Sequence, residues 1–302
     1  MQTKNNSQSI MFIINPIAGR GRWEEVQQQI NVMLGGGNKE LFFHVSRYAG
    51  HAEELSRALV VEQPEMIVAV GGDGTVNEVV NGIGCSGIPL GVIPRGSGNG
   101  FARHLGIPTR LDRALAIIRT GTATPVDMIK INNRYMVNVS GVGFDAQIAW
   151  KFHHGQQRGL ASYIKITAAE FFTYRPQSYT LTIDGKKRQE LAMLISIANS
   201  SQFGNNILIA PRASVRDGLL DLCILHPFPL SAVPGLFFWL LRKKIDQCGY
   251  LETIKAKKVT ISGHGDRYHL DGEAVESNGL LKAEVVEKSL QVIISPHRQE
   301  QL

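Results

Sequence analysis

The stretch from Met66 to Glu78 constrains this chain most, because it predicts a strand, a glycine turn and a helix in immediate succession. It begins with an apolar run rich in β-branched residues, which is typical of a strand buried on both faces. The chain then turns through Gly71-Gly72-Asp73-Gly74, where glycine permits a sharp turn and the close approach of a ligand. Thr75, with Glu78 three residues later, predicts a capping box that opens the helix.

A strand, a glycine turn and a helix N-terminus together predict an anion site. Free backbone N–H groups and the positive end of the helix dipole face outward at such a turn. The carboxylate of Asp73 would repel a phosphate there unless it holds a metal ion or moves a proton. A phosphate-binding turn that carries its own acid indicates a phosphotransferase.

The overall charge favours anionic partners. The chain has 302 residues, a formal net charge of +6 and a pI of about 9.2, which suits nucleotides or phospholipid head groups. The clustering of aromatic and basic residues typical of nucleic-acid modules is not evident, so we expect no nucleic-acid partner. Cys85, Cys223 and Cys248 form no CxxC pair, and the polar N-terminus lacks a signal core. We therefore expect a cytoplasmic protein with reduced thiols.

The first part of the chain predicts an α/β domain with a mostly parallel sheet, because strands alternate with helices. Two further glycine-bearing turns follow strands, at Asn15–Arg22 and at Pro94–Gly100. Ligands of parallel sheets bind outside the carboxyl ends of the strands, so we expect the three turns to converge on one crevice. The predicted strands are 10–14, 41–45, 66–70 and 89–93, and the predicted helices include 23–34, 51–60 and 111–121.

The pattern changes near residue 125, where hairpin signals replace the alternation. We expect one domain over residues 1–125 and a mainly antiparallel one over 126–302, with the last residues able to pack back on the first domain. A helix over 159–174 interrupts the second part. The predicted strands there are 126–131, 134–139, 179–183, 190–198, 219–225, 258–262, 267–270, 281–286 and 290–295.

Five motifs in order resemble the diacylglycerol kinase catalytic-domain family, which includes bacterial lipid kinases and sphingosine kinases. They span residues 10 to about 295, nearly the whole chain. One glycine loop would be a weak signal, whereas five motifs in order are a strong one. The motifs are Asn15-Pro16 with Gly19, Gly71 to Glu78, Pro94 to Arg103, Arg216 to Asp221 and Leu270 to Glu273.

The resemblance implies ATP-dependent phosphorylation of a lipid hydroxyl. It implies an N-terminal α/β nucleotide-binding domain of the NAD-kinase and diacylglycerol-kinase type, a C-terminal β-sandwich for the lipid substrate, and an active site between them. The family's nucleotide contacts carry over to the three turns and to two serines. They are Asn15, Pro16, Ile17, Ala18, Gly19, Ser46, Gly72, Asp73, Gly74, Thr75, Val76, Asn77, Glu78 and Ser97.

The resemblance also implies the acidic roles. The catalytic base falls on Glu273 of the Asp-Gly-Glu motif, although Asp271 beside it and Asp73 remain alternatives. Asp73 can hold Mg²⁺, directly or through water, because that ion prefers oxygen ligands. A second Mg²⁺ site is implied at the side chain of Asp217 with the main-chain oxygens of Ser214 and Leu219.

Several alternatives stay open at this point. Gly100 stands where many diacylglycerol kinase-like members carry Asp, and this form resembles the sphingosine kinase variant, which weakens the case for diacylglycerol itself. The acceptor class stays open among diacylglycerol-, sphingoid- and phosphatidylglycerol-type lipids. The rival functions are a kinase of a soluble acceptor such as NAD, and a non-catalytic lipid- or nucleotide-binding regulator. A membrane surface is the expected partner, and residues 237–244 fit either a membrane interface or core packing. The sequence leaves a homodimer open.

Overall fold

The computed structural model describes residues 9–36, 39–154, 160–205, 207–263 and 265–299. The chain divides into two compact units. The first comprises Met1–Val126 and Lys288–Leu302, and the second comprises Asp127–Glu287.

The first unit alternates strands with helices, as the sequence predicts. A short 3-10 helix, Ala18–Gly21, follows the first strand. The elements are β1 (Ser9–Ile14), α1 (Trp23–Leu34), β2 (Glu40–Val45), α2 (His51–Val60), β3 (Met66–Gly71), α3 (Asp73–Ile83), β4 (Leu90–Pro94), α4 (Gly100–His104) and α5 (Leu111–Thr120).

The second unit is mainly strands, and its first strand begins in the first unit. Two 3-10 helices, Leu230–Ala232 and Ile245–Gln247, flank its last helix. The elements are β5 (Thr122–Ile131), β6 (Arg134–Met136), β7 (Val139–Gly143), α6 (Phe144–His154), α7 (Leu160–Phe171), β8 (Gln177–Ile183), β9 (Lys186–Ala192), β10 (Leu194–Ala198), β11 (Gln202–Gly204), β12 (Ile207–Leu208), β13 (Leu220–Leu225), α8 (Val233–Leu241), β14 (Leu251–Ala256), β15 (Lys258–Ser262), β16 (Arg267–Leu270), β17 (Glu273–Glu276), β18 (Leu280–Ile294) and α9 (Pro296–Gln299).

The sheet of the first unit is parallel, in the order β2-β1-β3-β4 followed by the end of β18. Every residue of β1, β3 and β4 is buried, as expected for strands covered by helices on both faces. Phe12 and Val68 pack with Ile30 of α1 and Leu115 of α5 in the core of this unit. The order places the turns after β1, β3 and β4 at one edge, because parallel strands end on the same side.

The second unit is a β-sandwich. One sheet has the order β14-β13-β10-β7-β16-β17, and the other joins β9, β8 and β15 to the first part of β18, which also pairs with β5. Their shared core includes Ile129, Tyr179, Ile197, Leu222 and Ile261, all completely buried. An N-terminal α/β unit with a parallel sheet and a C-terminal β-sandwich confirm the predicted fold class.

Three element predictions need correction. Residues 190–198, predicted as one strand, are divided at Met193 between β9 and β10, which lie in different sheets. The strands predicted at 281–286 and 290–295 are one strand, β18, which continues through Lys288 although that residue adopts a left-handed backbone (φ 50°). Helix α6 was not predicted from the sequence.

Helices α2 and α3 pack closely at Gly82. A Cβ at this position would collide with the Ser56 hydroxyl and with the Glu53 carbonyl oxygen. Ser56 is itself completely buried, and its hydroxyl donates to the Glu53 carbonyl at 3.1 Å. Glycine at residue 82 is therefore required by the close approach of the two helices.

The most hydrophobic segment of the sequence forms α8. Pro234 lies in the first turn of this helix, where its missing N–H leaves no intrahelical bond unmade. At nine residues α8 is far shorter than a bilayer requires. Among the described residues no helix is both long and apolar enough to cross a membrane.

The end of the chain is attached to α4 in the first unit. Arg298 donates from Nη2 to the main-chain oxygen of His104 at 2.9 Å. The imidazole of His104 is buried, and burial, together with the charge of Arg298, lowers its pKa to about 4. His104 is therefore neutral in the folded protein at neutral pH.

This pKa predicts acid sensitivity of the fold. As pH falls from about 6.5 to about 4, the unfolded chain binds a proton at residue 104 that the folded protein does not bind, so stability decreases across that window. The full loss is about 3 kcal/mol. Denaturant unfolding over this pH range should show a smaller loss for His104→Gln. The control His297→Gln, at an exposed position, should behave like wild type. An unchanged pH dependence in His104→Gln would contradict the assignment.

Candidate functional site

The first turn is fastened to helix α3 by Asn15. The side-chain amide of Asn15 donates to Thr75 Oγ1 at 3.1 Å, and its Oδ1 accepts from the backbone N–H of Ile17 at 3.1 Å. Pro16, Ala18 and Gly19 are half-buried, and Ile17 is exposed. The predicted nucleotide contacts of this turn thus lie on an accessible surface directly after β1.

The second turn opens α3 three residues earlier than the predicted capping box, whose N-cap would be Thr75. The helix begins at Asp73 with Gly72 as its N-cap, and no side chain caps it. Thr75 is buried within the first helical turn of α3, where its hydroxyl oxygen accepts from the side-chain amide of Asn15. Glu78 instead accepts from the backbone N–H groups of Gly50 (2.9 Å) and Ala52 (3.0 Å), so it caps the neighbouring helix α2.

The predicted nucleotide contacts of the second turn differ in whether a ligand can reach them. Thr75, Val76 and Asn77 are buried, and Glu78 is bound to α2. Gly72, Asp73 and Gly74 are half-buried and stand at the first amides of α3. Because no side chain caps these amides, an anion can be bound by the helix N-terminus itself.

Asp73 connects the second turn to the third. Its carboxylate accepts from the backbone N–H of Phe101 at 3.4 Å. Burial raises the pKa of the Asp73 carboxyl above its usual value, although backbone hydrogen bonds from Gly100, Phe101 and Asn99 oppose the increase. Asp73 therefore fixes the start of α4 and holds its proton more tightly than a free aspartate.

The third turn lies against the second through two glycines. A Cβ on Gly96 would stand 2.6 Å from the Cα of Gly72, a separation that no side chain can accept. Asn99 adopts a left-handed backbone (φ 50°) and closes the turn, since its Oδ1 accepts from Gly96 N at 2.9 Å and its Nδ2 donates to Gly96 O at 2.6 Å. Ser97, at the tip, is exposed.

A basic cleft joins the first and third turns. Its volume is about 390 Å³, and three of its lining side chains are arginines, Arg22, Arg95 and Arg103. Arg95 donates to the carbonyl oxygen of Gly19 at 3.4 Å, and Arg103 donates to Gly98 O at 3.0 Å. Neither Arg95 nor Arg103 was predicted from the sequence as a site residue. The remaining lining residues are Gly19, Pro94, Gly96, Asn99 and Thr109.

Ser46, the remaining predicted nucleotide contact, directly follows β2. Its backbone N–H donates to the carbonyl oxygen of Ile14 at 2.9 Å, and its hydroxyl lies 3.4 Å from the same oxygen. The residue is almost fully buried. Ser46 thus supports the end of β1, from which the first turn departs.

In the second unit, Asp217 is paired with a lysine. Its Oδ2 lies 2.6 Å from Lys255 Nζ, and its Oδ1 accepts from the backbone N–H of Leu219 at 3.1 Å. Lys255 also lies 3.4 Å from the buried carboxylate of Asp221. Burial lowers the pKa of Lys255, but the two carboxylates outweigh it and raise the pKa above its usual value. One ammonium group thus balances two acids.

This arrangement does not fit a Mg²⁺ ion bound directly to Asp217. The ammonium group of Lys255 already occupies the side of the carboxylate on which a cation would bind. The other carboxylate oxygen accepts from the backbone N–H of Leu219 in the same turn. Ser214 and Leu219 flank the turn, and the hydroxyl oxygen of Ser214 accepts from Arg216 N at 3.3 Å. Among the described residues no cluster of three His, Cys, Asp or Glu side chains suits a metal.

A buried acid that the sequence analysis missed holds the same turn in place. Asp127 is completely buried, and its Oδ2 accepts from the backbone N–H of Gly218 at 2.8 Å. The backbone of Asp127 also donates to Val215 O at 2.7 Å. Its position within an apolar strand, Val126 to Ile131, was the only available signal.

The Asp-Gly-Glu motif forms the turn between β16 and β17. Asp271 is buried in a left-handed conformation (φ 49°), and its carboxylate accepts from the backbone N–H groups of Val137 (3.3 Å) and Asn138 (2.9 Å). Glu273 is the first residue of β17 and is exposed. This geometry favours a structural role for Asp271 and leaves Glu273 accessible.

A buried polar network lies beneath β16. Oδ2 of Asp145 accepts from the Ser196 hydroxyl at 2.8 Å and lies 3.2 Å from His269 Nε2. His269 is two residues before Asp271, and its carbonyl oxygen accepts from the Ser140 hydroxyl. The network fixes the strand that carries the Asp-Gly-Glu turn.

Comparisons with known proteins agree over both units. The family model described as diacylglycerol kinase catalytic domain matches residues 9–131, and that described as YegS C-terminal NAD kinase beta sandwich-like domain matches residues 138–294. The chain is 31% identical to a diacylglycerol kinase of Bacillus subtilis (strain 168), over 96% of this chain and 98% of that protein. It is 27% identical to a diacylglycerol kinase of Mycobacterium tuberculosis (strain ATCC 25618 / H37Rv), over 87% and 88% of the two chains.

A solved structure shares the fold. The crystal structure of a diacylglycerol kinase from Bacillus anthracis str. Sterne superimposes with a TM-score of 0.78, covering 98% of this chain and 99% of that one. Sequence identity is 24%, so this likeness concerns the fold alone.

The Asp217–Lys255 pair predicts how the protein responds to Mg²⁺. We expect Lys255→Met to lower the free energy of unfolding by about 1–2 kcal/mol, because two acids lose their shared counter-charge. Added Mg²⁺ should raise the melting temperature of this variant and leave that of wild type unchanged. Lys257→Met, which removes an exposed ion pair with Glu287, is the control. Equal stabilisation of wild type and Lys255→Met by Mg²⁺ would show that Asp217 binds the ion beside the lysine.

Proposed function

Because this chain belongs to the diacylglycerol kinase catalytic-domain family, we propose that it is a lipid kinase that transfers the γ-phosphate of ATP to a lipid hydroxyl. Family membership supports the lipid kinase class, and the choice of nucleotide and acceptor is the proposal. The observation that carries it is the basic cleft of the first unit, where three arginines surround two glycine turns. Such a surface suits a polyphosphate, because guanidinium groups and backbone N–H groups both bind phosphate oxygens.

We propose that the phosphates of ATP occupy this cleft and the open N-terminus of α3. Gly72, Asp73 and Gly74 present the helix amides, and the first turn presents Asn15 to Gly19. Arg22, beside the first turn, and Arg95 and Arg103, in the segment of the third turn, supply positive charge. Phosphoryl transfer depends mainly on positioning and on neutralising charge, and these groups supply both.

Mg²⁺ is the metal that we propose for the reaction, as the partner of the ATP phosphates. The ion neutralises phosphate charge and is bound by oxygen atoms. Asp73 is the acid that the second turn offers for this purpose, and its carboxylate is already positioned by the backbone N–H of Phe101. Asp217 is less suited to the ion, since Lys255 balances its charge.

Glu273 is the residue that we propose as the general base. A base must reach the acceptor hydroxyl, and Glu273 is the exposed acid of the three candidates. Asp271 is buried with two backbone N–H partners, and Asp73 is bound to the start of α4. The proton would move from the acceptor hydroxyl to the carboxylate of Glu273 as the oxygen attacks the γ-phosphorus, while the bond between the γ-phosphorus and the bridging oxygen breaks and ADP leaves.

A transfer assay tests the proposal directly. The protein would be incubated with γ-labelled ATP, Mg²⁺ and dispersed lipids: a diacylglycerol, a monoacylglycerol, a sphingoid base and phosphatidylglycerol, with NAD as the soluble control. We expect label in one lipid class. Label in NAD alone would replace the proposal with a soluble-acceptor kinase, and ATP binding without any transfer would favour a non-catalytic regulator.

Glu273→Gln separates the catalytic role from a structural one. We expect kcat to fall by about 10²–10⁴-fold with ATP affinity and melting temperature unchanged, because the amide cannot accept the proton. Asp271→Asn should instead lower the melting temperature, since its carboxylate holds two backbone N–H groups. Transfer at the wild-type rate by Glu273→Gln would exclude this residue as the base.

A further inference from the structure

Helix α8, together with Leu230 of the 3-10 helix that precedes it, displays an apolar face to solvent. The exposed fractions are 66% for Leu230, 58% for Phe237, 48% for Phe238 and 68% for Leu241. Pro234 is exposed as well, and these five residues recur at the three- and four-residue spacing of one helical face. We call Leu230, Pro234, Phe237, Phe238 and Leu241 the α8 face. Contiguous exposed apolar residues of this kind mark an interaction site.

The α8 face is not needed to attach the helix to the protein. Leu236, Trp239 and Leu240 do that, because they pack against a buried cluster that includes Ile245 and Leu251. The helix therefore has two apolar sides, of which only one faces the core. Core packing, one of the two interpretations of residues 237–244, accounts for the inner side alone.

Positive charge adjoins the α8 face. Arg242, Lys243 and Lys244 follow the helix directly, and all three are exposed. The guanidinium of Arg242 lies 4.8 Å from the centre of the Phe238 ring, so cation and aromatic share one surface. The nearest following acid, Asp246, is largely buried beside Arg212. Residues 227–245 contain no acidic side chain.

We propose that the α8 face and Arg242–Lys244 form a docking surface for an anionic lipid bilayer. Exposed aromatic and leucine side chains enter the acyl boundary, while adjacent cations bind the anionic head groups. The charge complementarity selects a negatively charged surface, and the apolar face selects one with a hydrocarbon interior. The choice of a bilayer rests on the proposed function, in which the acceptor is a lipid.

A second copy of the chain fits the same surface less well. A two-fold contact through the α8 face would bring two sets of Arg242, Lys243 and Lys244 together. Like charges at such a short distance repel one another. A bilayer satisfies the apolar and the cationic components at once.

Vesicle sedimentation without ATP tests this surface. We expect wild type to bind phosphatidylcholine vesicles that contain phosphatidylglycerol, and to bind pure phosphatidylcholine and high-salt samples weakly. Phe237→Ser/Phe238→Ser should lower the partition coefficient by at least about tenfold, since two aromatic anchors are lost. Lys243→Glu/Lys244→Glu should remove the preference for phosphatidylglycerol. All variants should keep the wild-type melting temperature, because the altered side chains are exposed.

Matched controls lie elsewhere in the same unit. Lys186→Glu/Lys187→Glu reverses an exposed lysine pair, and Leu191→Ser replaces a leucine that is 51% exposed. Both should bind vesicles like wild type. Wild-type binding by the two α8 variants, or equal losses in the controls, would overturn the proposal. Vesicle binding unaffected by Phe237→Ser/Phe238→Ser, together with loss of a dimer in that variant, would reassign the face to a second copy.

Kinase activity on a short-chain, freely dispersed acceptor separates this proposal from the proposed function. The α8 variants should phosphorylate the dispersed acceptor at the wild-type rate and lose activity only towards acceptor in vesicles. If no lipid is phosphorylated by wild type but the α8 variants lose vesicle binding, the docking surface stands and the proposed function fails. If the α8 variants phosphorylate the vesicle acceptor at the wild-type rate, the kinase stands and the surface fails.

Discussion

The backbone contact between Gly72 and Gly96 is the constraint on which the candidate nucleotide site depends. It brings the turn after β3 against the turn after β4, and the backbone N–H of Arg95 reinforces it by donating to Gly71 O at 2.7 Å. Asp73 adds a side-chain bond to Phe101 N. With these two turns fixed, Arg95 donates a hydrogen bond to the carbonyl oxygen of Gly19, and this bond attaches the first turn to the other two. Three segments far apart in sequence thus form one surface of amides and arginines.

Acidic residues divide into those that hold turns and those that face solvent. Asp127 and Asp271 are buried, and each binds backbone N–H groups of another segment. Asp217 balances Lys255, which also faces Asp221. Glu273 alone among the proposed catalytic acids is exposed at the start of its strand. Asp127, Asp217 and Asp271 therefore each have a partner within the fold, and the chemistry that we propose falls on Glu273 and Asp73.

Local sequence signals predicted the turns, most secondary-structure elements and the fold class. Apolar strand segments, glycine turns and individual motifs can each be recognised from residues that are close together in the sequence. They failed where a distant residue decides. Glu78 fits a capping box by spacing, yet it caps α2, whose first turn lies 26 residues earlier. The ion pair between Asp217 and Lys255, 38 residues later, is likewise a contact that local spacing does not reveal. The apolar segment 237–241 could not be assigned to core or surface, since burial of each side chain depends on the tertiary packing.

The affinity of Gly96→Ala for ATP tests whether the contact between the two glycine turns builds the nucleotide site. We expect the dissociation constant, measured by calorimetry with Mg²⁺ present, to rise at least about tenfold, because a Cβ forces the two turns apart. Gly82→Ala disturbs the packing of α2 on α3 without touching the turns, so it controls for general destabilisation and should bind ATP like wild type. Wild-type ATP affinity in Gly96→Ala would show that ATP binding does not depend on this contact.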